Sequence, residues 1–475
     1  MKRISNSFEL PLTMGSSQFG CYPKISVELT RNMYMCDGWQ TSFFGYKSVA
    51  NIEYDGVGRR CAVSNKAGNL FFVINNSFYG FVSPNNYTLL GSLTTNSGDV
   101  FIAENTANQI GICDKENIYI YDYSTPTPVF SKASLDFKPT FISYHDGYFI
   151  AGEYGTNRWR LSEANNGLSW PVYTPGSTYA GLLQTEADTV QAVIPIPGHG
   201  NNVLVLGSIV AEIWTDTGNV LFPYTRSTGF NIDYGTINAA TIAWQGDRVI
   251  WLGGNKKSGT SIFMSDGGNI QRVETSGIAH FLQQLTSPEN SSAFFFEIEG
   301  HSFYVITFYD PADNVTLAYD LKEKAFYHLT DENGNYFIVK NIEKFNNKYY
   351  FVSQNNGKLY ELSSQYTDYD GAIIPCERIP PTIRMDDASP FIGNEMSLLL
   401  DQGNCINPVQ VTYSISRDGN ASFGNEVTLP LNNIGYRKNR LVDWGFGYAN
   451  EMTFKFKFLG DGRFLVKDGY FRGYQ

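Results

Sequence analysis

The chain has 475 residues, enough for a large core and two to four domains, or fewer where one all-β repeat unit takes about 300 residues. Charged residues make up only 17% and aromatics reach 15%, with 31 Tyr and 34 Phe, which suits half-buried strands and excludes long solvated helices. The net charge of −11 excludes a basic surface of the kind that grips nucleic acid through Lys and Arg on phosphates.

Six cysteines, Cys21, Cys36, Cys61, Cys113, Cys376 and Cys405, are scattered without a CxxC pair, so free thiols in a reducing cytoplasm are expected. No apolar run approaches the roughly 20 residues of a membrane helix. Met1-Lys2-Arg3 leads into polar Ser5 and Ser7 with no apolar run behind it, so a soluble, unprocessed chain is expected.

Residues 1–45 show no sustained period and read as an extended N-terminal arm that packs along its own domain or a neighbouring subunit. From residue 46 to 365 a hairpin pattern repeats. Its clearest copy is FISYHDGYFIAGE at 141–153, where Asp146-Gly147 separates two alternating runs, because both turn residues tolerate positive φ. Variants stand at 242–254, 294–308 and 342–354. The first hairpin turns fall near Lys66, Asp114, Asp146, His199, Gly246, Gly300 and Asn346, with gaps of 48, 32, 53, 47, 54 and 46 residues. A mean near 47 is the length of a four-stranded propeller blade. The gap of 32 leaves the count at seven or six.

Second hairpins at 158–170, 212–222, 261–273 and 316–329 support the blades, and a strand near 44–53 is expected to close the last one. Residues 366–390 carry prolines and aspartates that argue for a connection and against a central strand. After it, Met396, Leu398 and Leu400 alternate, as do Val409, Val411, Tyr413 and Ile415, then Met452, Phe454, Phe456 and Phe458. Residues 391–475 therefore read as a small C-terminal β-sandwich, and the fold class as all-β, a β-propeller followed by that sandwich.

Chemistry-bearing patterns are sparse. The histidines, His145, His199, His280, His301 and His328, stand singly and are read as turn and surface residues. Asp331 to Asn335 begins like a calcium loop but has Tyr336 and Ile342 where glycine and glutamate are needed. Residues 416–423 partly match an Asp-box turn, which is structural in sialidase-type propellers. Arginines are thin in the repeats and carboxylates are spread through turns, so no catalytic, cofactor or metal residue is assigned. A sialidase-type glycan hydrolase and a non-viral propeller interaction module remain alternatives.

The C-terminal residues resemble a family. Ser416, Asp418 and Gly419, then Phe423 and Gly424, then Arg437, Lys438, Arg440 and Trp444 match the final domain of the tail hub, or nozzle, proteins of short-tailed bacteriophages, also called packaged-DNA stabilisation proteins. Asn32, Met33 and Tyr34 resemble the family's opening, although Phe44-Gly45 stands where the family often has Pro-Gly. The resemblance implies a non-enzymatic virion protein without cofactor, assembled in the bacterial cytoplasm. It also implies a homohexameric ring below the portal and adaptor ring that continues the channel for double-stranded DNA and retains the genome until ejection. A tail needle, plug, fibre or tailspike would attach to that ring. Six copies would carry −66, and acidic walls would let DNA slide without sequence-specific binding.

Overall fold

In the computed structural model, residues 5–13, 28–53, 55–176, 179–196, 198, 200–219, 222–228, 232–255, 257–266, 270–431 and 437–474 are described. Among them, seven antiparallel sheets succeed one another as blades, so the propeller has seven. Blade one is Gly58–Ser64, Asn69–Ile74, Ser77–Ser83 and Asn86–Ser92, and blade two is Phe101–Glu104, Gln109–Cys113, Ile118–Asp122 and Val129–Lys132. Blades three, four and six begin at Pro139–His145, Val190–Pro195 and Ser291–Ile298, and the first edge of blade five is shared by Gly235–Thr236 and Ala243–Gln245, both paired with Arg248–Gly254. The seventh is Val339–Phe345, Lys348–Ser353 and Gly357–Ser363, completed from the N-terminal side by Gly45–Glu53.

The short gap in the repeat has a simple cause. Blade two makes its first turn at residues 105–108, with Asn108 at φ 66°, and Asp114 begins its second turn. Its first turn carries no Asp-Gly, and so it escapes a search for that pair. A second difference falls in blade three, where residues 168–170 form no strand and Ala180–Leu182 pairs with Arg158–Leu161 instead. Pro171 removes a ladder donor there, and Trp170 turns into the core, its Nε1 donating to Gly167 O at 2.8 Å. The expected turn at His199 lies outside the described residues.

The C-terminal strands form two facing sheets. One contains Phe391–Asp401, Lys438–Ala449 and Leu465–Tyr474, extended by Ser5–Leu10 and by the hairpin Met33–Cys36 with Trp39–Ser42. The other contains Gln410–Ser416, Val427–Leu429, Glu451–Leu459 and Cys376–Ile379. Phe454 and Phe471 meet between them with ring centroids 5.6 Å apart.

Cys376–Ile379 is thus a central strand, against the reading of its proline-rich surroundings. Its prolines, Pro375, Pro380 and Pro381, flank the strand and leave its own amides free to pair. On its far edge runs Leu29–Arg31, which also bridges in parallel to the outer strand of blade six, Ala325–Leu329. The propeller and the sandwich therefore share one ten-stranded sheet and one continuous core, from Phe303 and Phe337 through Tyr34 to Phe454.

Two residues carry that junction. Asn32 is fully buried at φ 51°, a conformation Asn tolerates better than most side chains. Its backbone N–H donates to His328 O at 2.8 Å, its Nδ2 donates to Thr330 Oγ1 and Pro375 O, and its Oδ1 accepts from Thr330 N at 2.8 Å. Arg378, buried with Glu28, donates to the carbonyls of Pro11, Leu12, Leu29 and Ile379.

Replacing Asn32 by Ala should strand the Thr330 amide and the Pro375 carbonyl and add the steric cost of positive φ, a loss of about 2–4 kcal/mol in urea denaturation. Asn32→Gly keeps φ and should cost less, and melts matching the native protein for both variants would disprove the account. A Cβ at Gly45 would lie 2.4 Å from Asp368 O and 2.7 Å from Tyr366 O. Gly45→Ala should therefore pry the closing strand from the chain beyond it, at about 1–3 kcal/mol and with new protease cleavage near residue 53.

Candidate functional site

The first strand of each blade lines the propeller axis, where alternation sends every second side chain inward. Arg60, Glu104, Tyr144, Trp244 and Glu343 reach the axis from five different blades. They line two open cavities of about 240 and 250 Å³, both walled by Arg60, Ile242 and Trp244. Such volumes fall below the roughly 300 Å³ at which small-molecule pockets begin. Burial pushes the Glu343 carboxyl up to about 7, with the Arg60 guanidinium pulling the other way.

Hairpin tips make a second cleft, of about 630 Å³, on one rim of the propeller. Asp146, at φ 41° before Gly147 at φ 89°, holds the turn that its Asp-Gly spelled out, and faces Asp216 of blade four. Burial raises the Asp216 carboxyl above the usual carboxylate range, and the adjoining Asp146 adds to the rise. Tyr144, Tyr148 and Tyr179 line the rest, and no Lys or Arg does among the described residues. A sialidase clamp for a sugar carboxylate has no counterpart in this cleft. The Asp146–Asp216 pair escaped the sequence because 70 residues separate its members.

Two histidines read as turn and surface residues are buried, and a third, His328, is half-buried. His145 is buried, its Nδ1 against Tyr224 Oη at 2.9 Å and its Nε2 against Gly200 O at 2.8 Å. His301 pairs with buried Asp320 at 2.7 Å, and burial, reinforced by Arg31, pulls the His328 imidazole down to about 3. Aromatic neighbours and carbonyl acceptors supply these rings with partners that no local pattern announces. Asp331, expected in a solvated loop, is also buried, its Oδ1 accepting from the amides of Asn333 and Asn335. Among the described residues no group of three or more His, Cys, Asp or Glu could hold a metal ion.

The resemblance residues separate into three places. Asn32, Met33 and Tyr34 sit in the seam between propeller and sandwich. Tyr34 Oη donates to Glu299 Oε2 at 3.1 Å and accepts from Arg463 at 2.6 Å, while Arg463 also reaches both Glu299 oxygens. Burial pushes the Glu299 carboxyl up, and the Arg463 guanidinium outweighs it, leaving the group below its usual range.

Ser416, Asp418 and Gly419 make a turn at the sandwich tip. Hydrogen bonds from Ser422, Ser416 and the Ser422 amide hold the Asp418 carboxyl down to about 2, and Gly419 takes φ 71°. Beside it, Gly424 N donates to Ile415 O, and Lys455 stands over the Phe423 ring. The third group lies along Lys438–Ala449: Arg437 donates to Gly403 O, Lys438 is exposed, Arg440 binds Glu395 at 2.7 Å, and Trp444 projects into solvent.

No curated protein matches the chain. Solved structures to which the chain is similar include the extracellular domain of the putative one-component system BT4673 from B. thetaiotaomicron, at 10% identity and TM-score 0.44, covering 82% of this chain and 48% of that one. Others are the Neurospora crassa Pan2 WD40 domain (9%, 0.43, 69% and 96%) and U3-55K (6%, 0.41, 67% and 98%). A family model described as "Bacteriophage P22 Gp10, beta-propeller" matches residues 11–367, from the buried arm at Pro11 to the end of blade seven and just beyond. Because that match spans three quarters of the chain and takes in the closing strand, the protein belongs to the bacteriophage P22 Gp10 β-propeller family.

Proposed function

We propose that this structural phage protein is the subunit of a nozzle ring at the end of a short tail. Six copies surround the DNA channel below the portal and adaptor ring, assembled in the host cytoplasm and carried in the virion. What supports this reading most is the match to the bacteriophage P22 Gp10 β-propeller family over residues 11–367, and since Arg60, Trp244 and Glu343 crowd the propeller axis, the DNA channel in this reading runs between copies. The protein acts as wall and clamp, with no catalytic step. A needle, plug, fibre or tailspike docks on the assembled ring.

The acidic balance suits such a wall, since like charge keeps the phosphate backbone from adhering and leaves retention to a physical constriction. Sliding rather than binding is the useful property during ejection.

Two measurements test this. Purified protein incubated with portal–adaptor rings should give a six-fold ring by electron microscopy, and a chain that stays monomeric both alone and with those rings would end the proposal. A short duplex in about 50 mM salt should run unretarded past the ring. Tight binding that weakens steeply with salt would show a basic lumen and overturn the sliding wall.

A further inference from the structure

The sandwich carries a face that its own chain leaves uncovered. On the strands Phe391–Asp401, Lys438–Ala449 and Leu465–Tyr474, the inward residues Met396, Leu398, Leu441 and Phe471 are buried. The register sets Tyr448 beside Ile392, Trp444 beside Glu395, and Arg472 on the other side of Glu395. Trp444 is 64% exposed, Tyr448 67%, Tyr470 53% and Ile392 51%. Arg440 and Arg472 share Glu395 between them at 2.7 and 3.4 Å, with 61% and 52% of their side chains in solvent.

The local backbone is built for this display. Strict alternation would send Phe446 outward together with Trp444 and Tyr448. Gly445 at φ 83° and Gly447 at φ 75° flank it, the register shifts opposite Gly393 and Glu395, and Phe446 turns inward onto Phe454 and Phe471. Its two large neighbours stay outside. Exposed Trp, Tyr and Arg clustered on one rigid sheet have the composition of an interface hot spot, and scattered surface residues do not.

Charge points to the occupant. Residues 46–365 hold 30 Asp and Glu against 20 Lys and Arg, whereas residues 391–475 hold 8 against 9. The face itself adds Lys438 and Lys467 to its two arginines. We infer that this sandwich face docks against the acidic propeller of a second copy of the chain, and is the contact that builds the ring; the inference rests on the ring proposed above. A face of one kind meeting a surface of another is a heterologous contact, the type that propagates head to tail and closes into a ring when the rotation permits.

The test compares the full-length chain with Trp444→Ala and with the double variant Arg440→Glu, Arg472→Glu, by light scattering after size separation and by electron microscopy. Trp444→Ala should melt as the native protein does, since its ring lies in solvent, the double variant should melt earlier through repulsion at Glu395 while still unfolding cooperatively, and both should need at least tenfold higher concentration to form rings. In rings mixed from isotopically light and heavy chains, carbodiimide should join Lys438 or Lys467 of one copy to propeller carboxylates of another. Native and variant chains that assemble alike, with these lysines joined only within their own copy, overturn the inference while the ring itself stands. A native chain that forms no ring, alone or on portal–adaptor rings, removes the ring reading and this contact together.

Discussion

Gly357–Ser363 would end blade seven in a bare row of amides and carbonyls, and the ladder it forms with Gly45–Glu53 removes that edge. Everything upstream of the closing strand follows from it. To reach blade seven, the chain must first run past the outer strand of blade six, where Leu29–Arg31 pairs and Asn32 turns. The N-terminal segment is consequently spent on edges: one on blade seven, one on blade six, and one on the sandwich through Ser5–Leu10. A propeller closed in this way stays shut only while distant ends of the sequence hold each other.

The parts legible in the sequence are those whose cause is local. Asp146-Gly147, Gly246 and Gly300 mark turns because their backbone takes positive φ, and the apolar alternation of Met452, Phe454, Phe456 and Phe458 marks one buried face. The closing strand was also within reach, because a repeat fold must pair its last edge somewhere. Illegible were the long-range partners: Cys376–Ile379 becomes a central strand only when Leu29–Arg31 and Glu451–Leu459 arrive on either side. The same holds for the Arg463 contact with Tyr34, 429 residues apart, and for Asp146 with Asp216. Histidines were misread for a related reason, since the burial of His301 depends on rings from Tyr34 and Phe303.

Polar groups in the seam do what apolar packing alone cannot. A core of Phe and Tyr tolerates sliding of one layer over another, whereas Asn32 and Arg378 recognise particular carbonyls at particular places. Burying Arg378 lowers its pKa through desolvation, which Glu28 opposes, so the pair contributes little net stability while penalising any other arrangement of the arm. The arm is positioned more by the cost of misplacing it than by the gain from placing it.

This seam bears on assembly. A ring of identical subunits closes only if each copy meets the next at one fixed rotation, and an error of a few degrees per contact leaves an open spiral. If the propeller and sandwich were joined by a flexible linker, a face on one and a surface on the other could not hold that angle. Here the sheet continues from Ser291–Ile298 in blade six through Leu29–Arg31, joined to the blade at the Arg31–His328 bridge and by the Asn32 amide on His328 O, and Cys376–Ile379 into Glu451–Leu459. Hydrogen-bonded strands twist but do not hinge, so the outward face carrying Trp444 and Tyr448 keeps its orientation to the propeller. In the proposed nozzle the angle of closure would then be written into the fold of each subunit before any copy meets another.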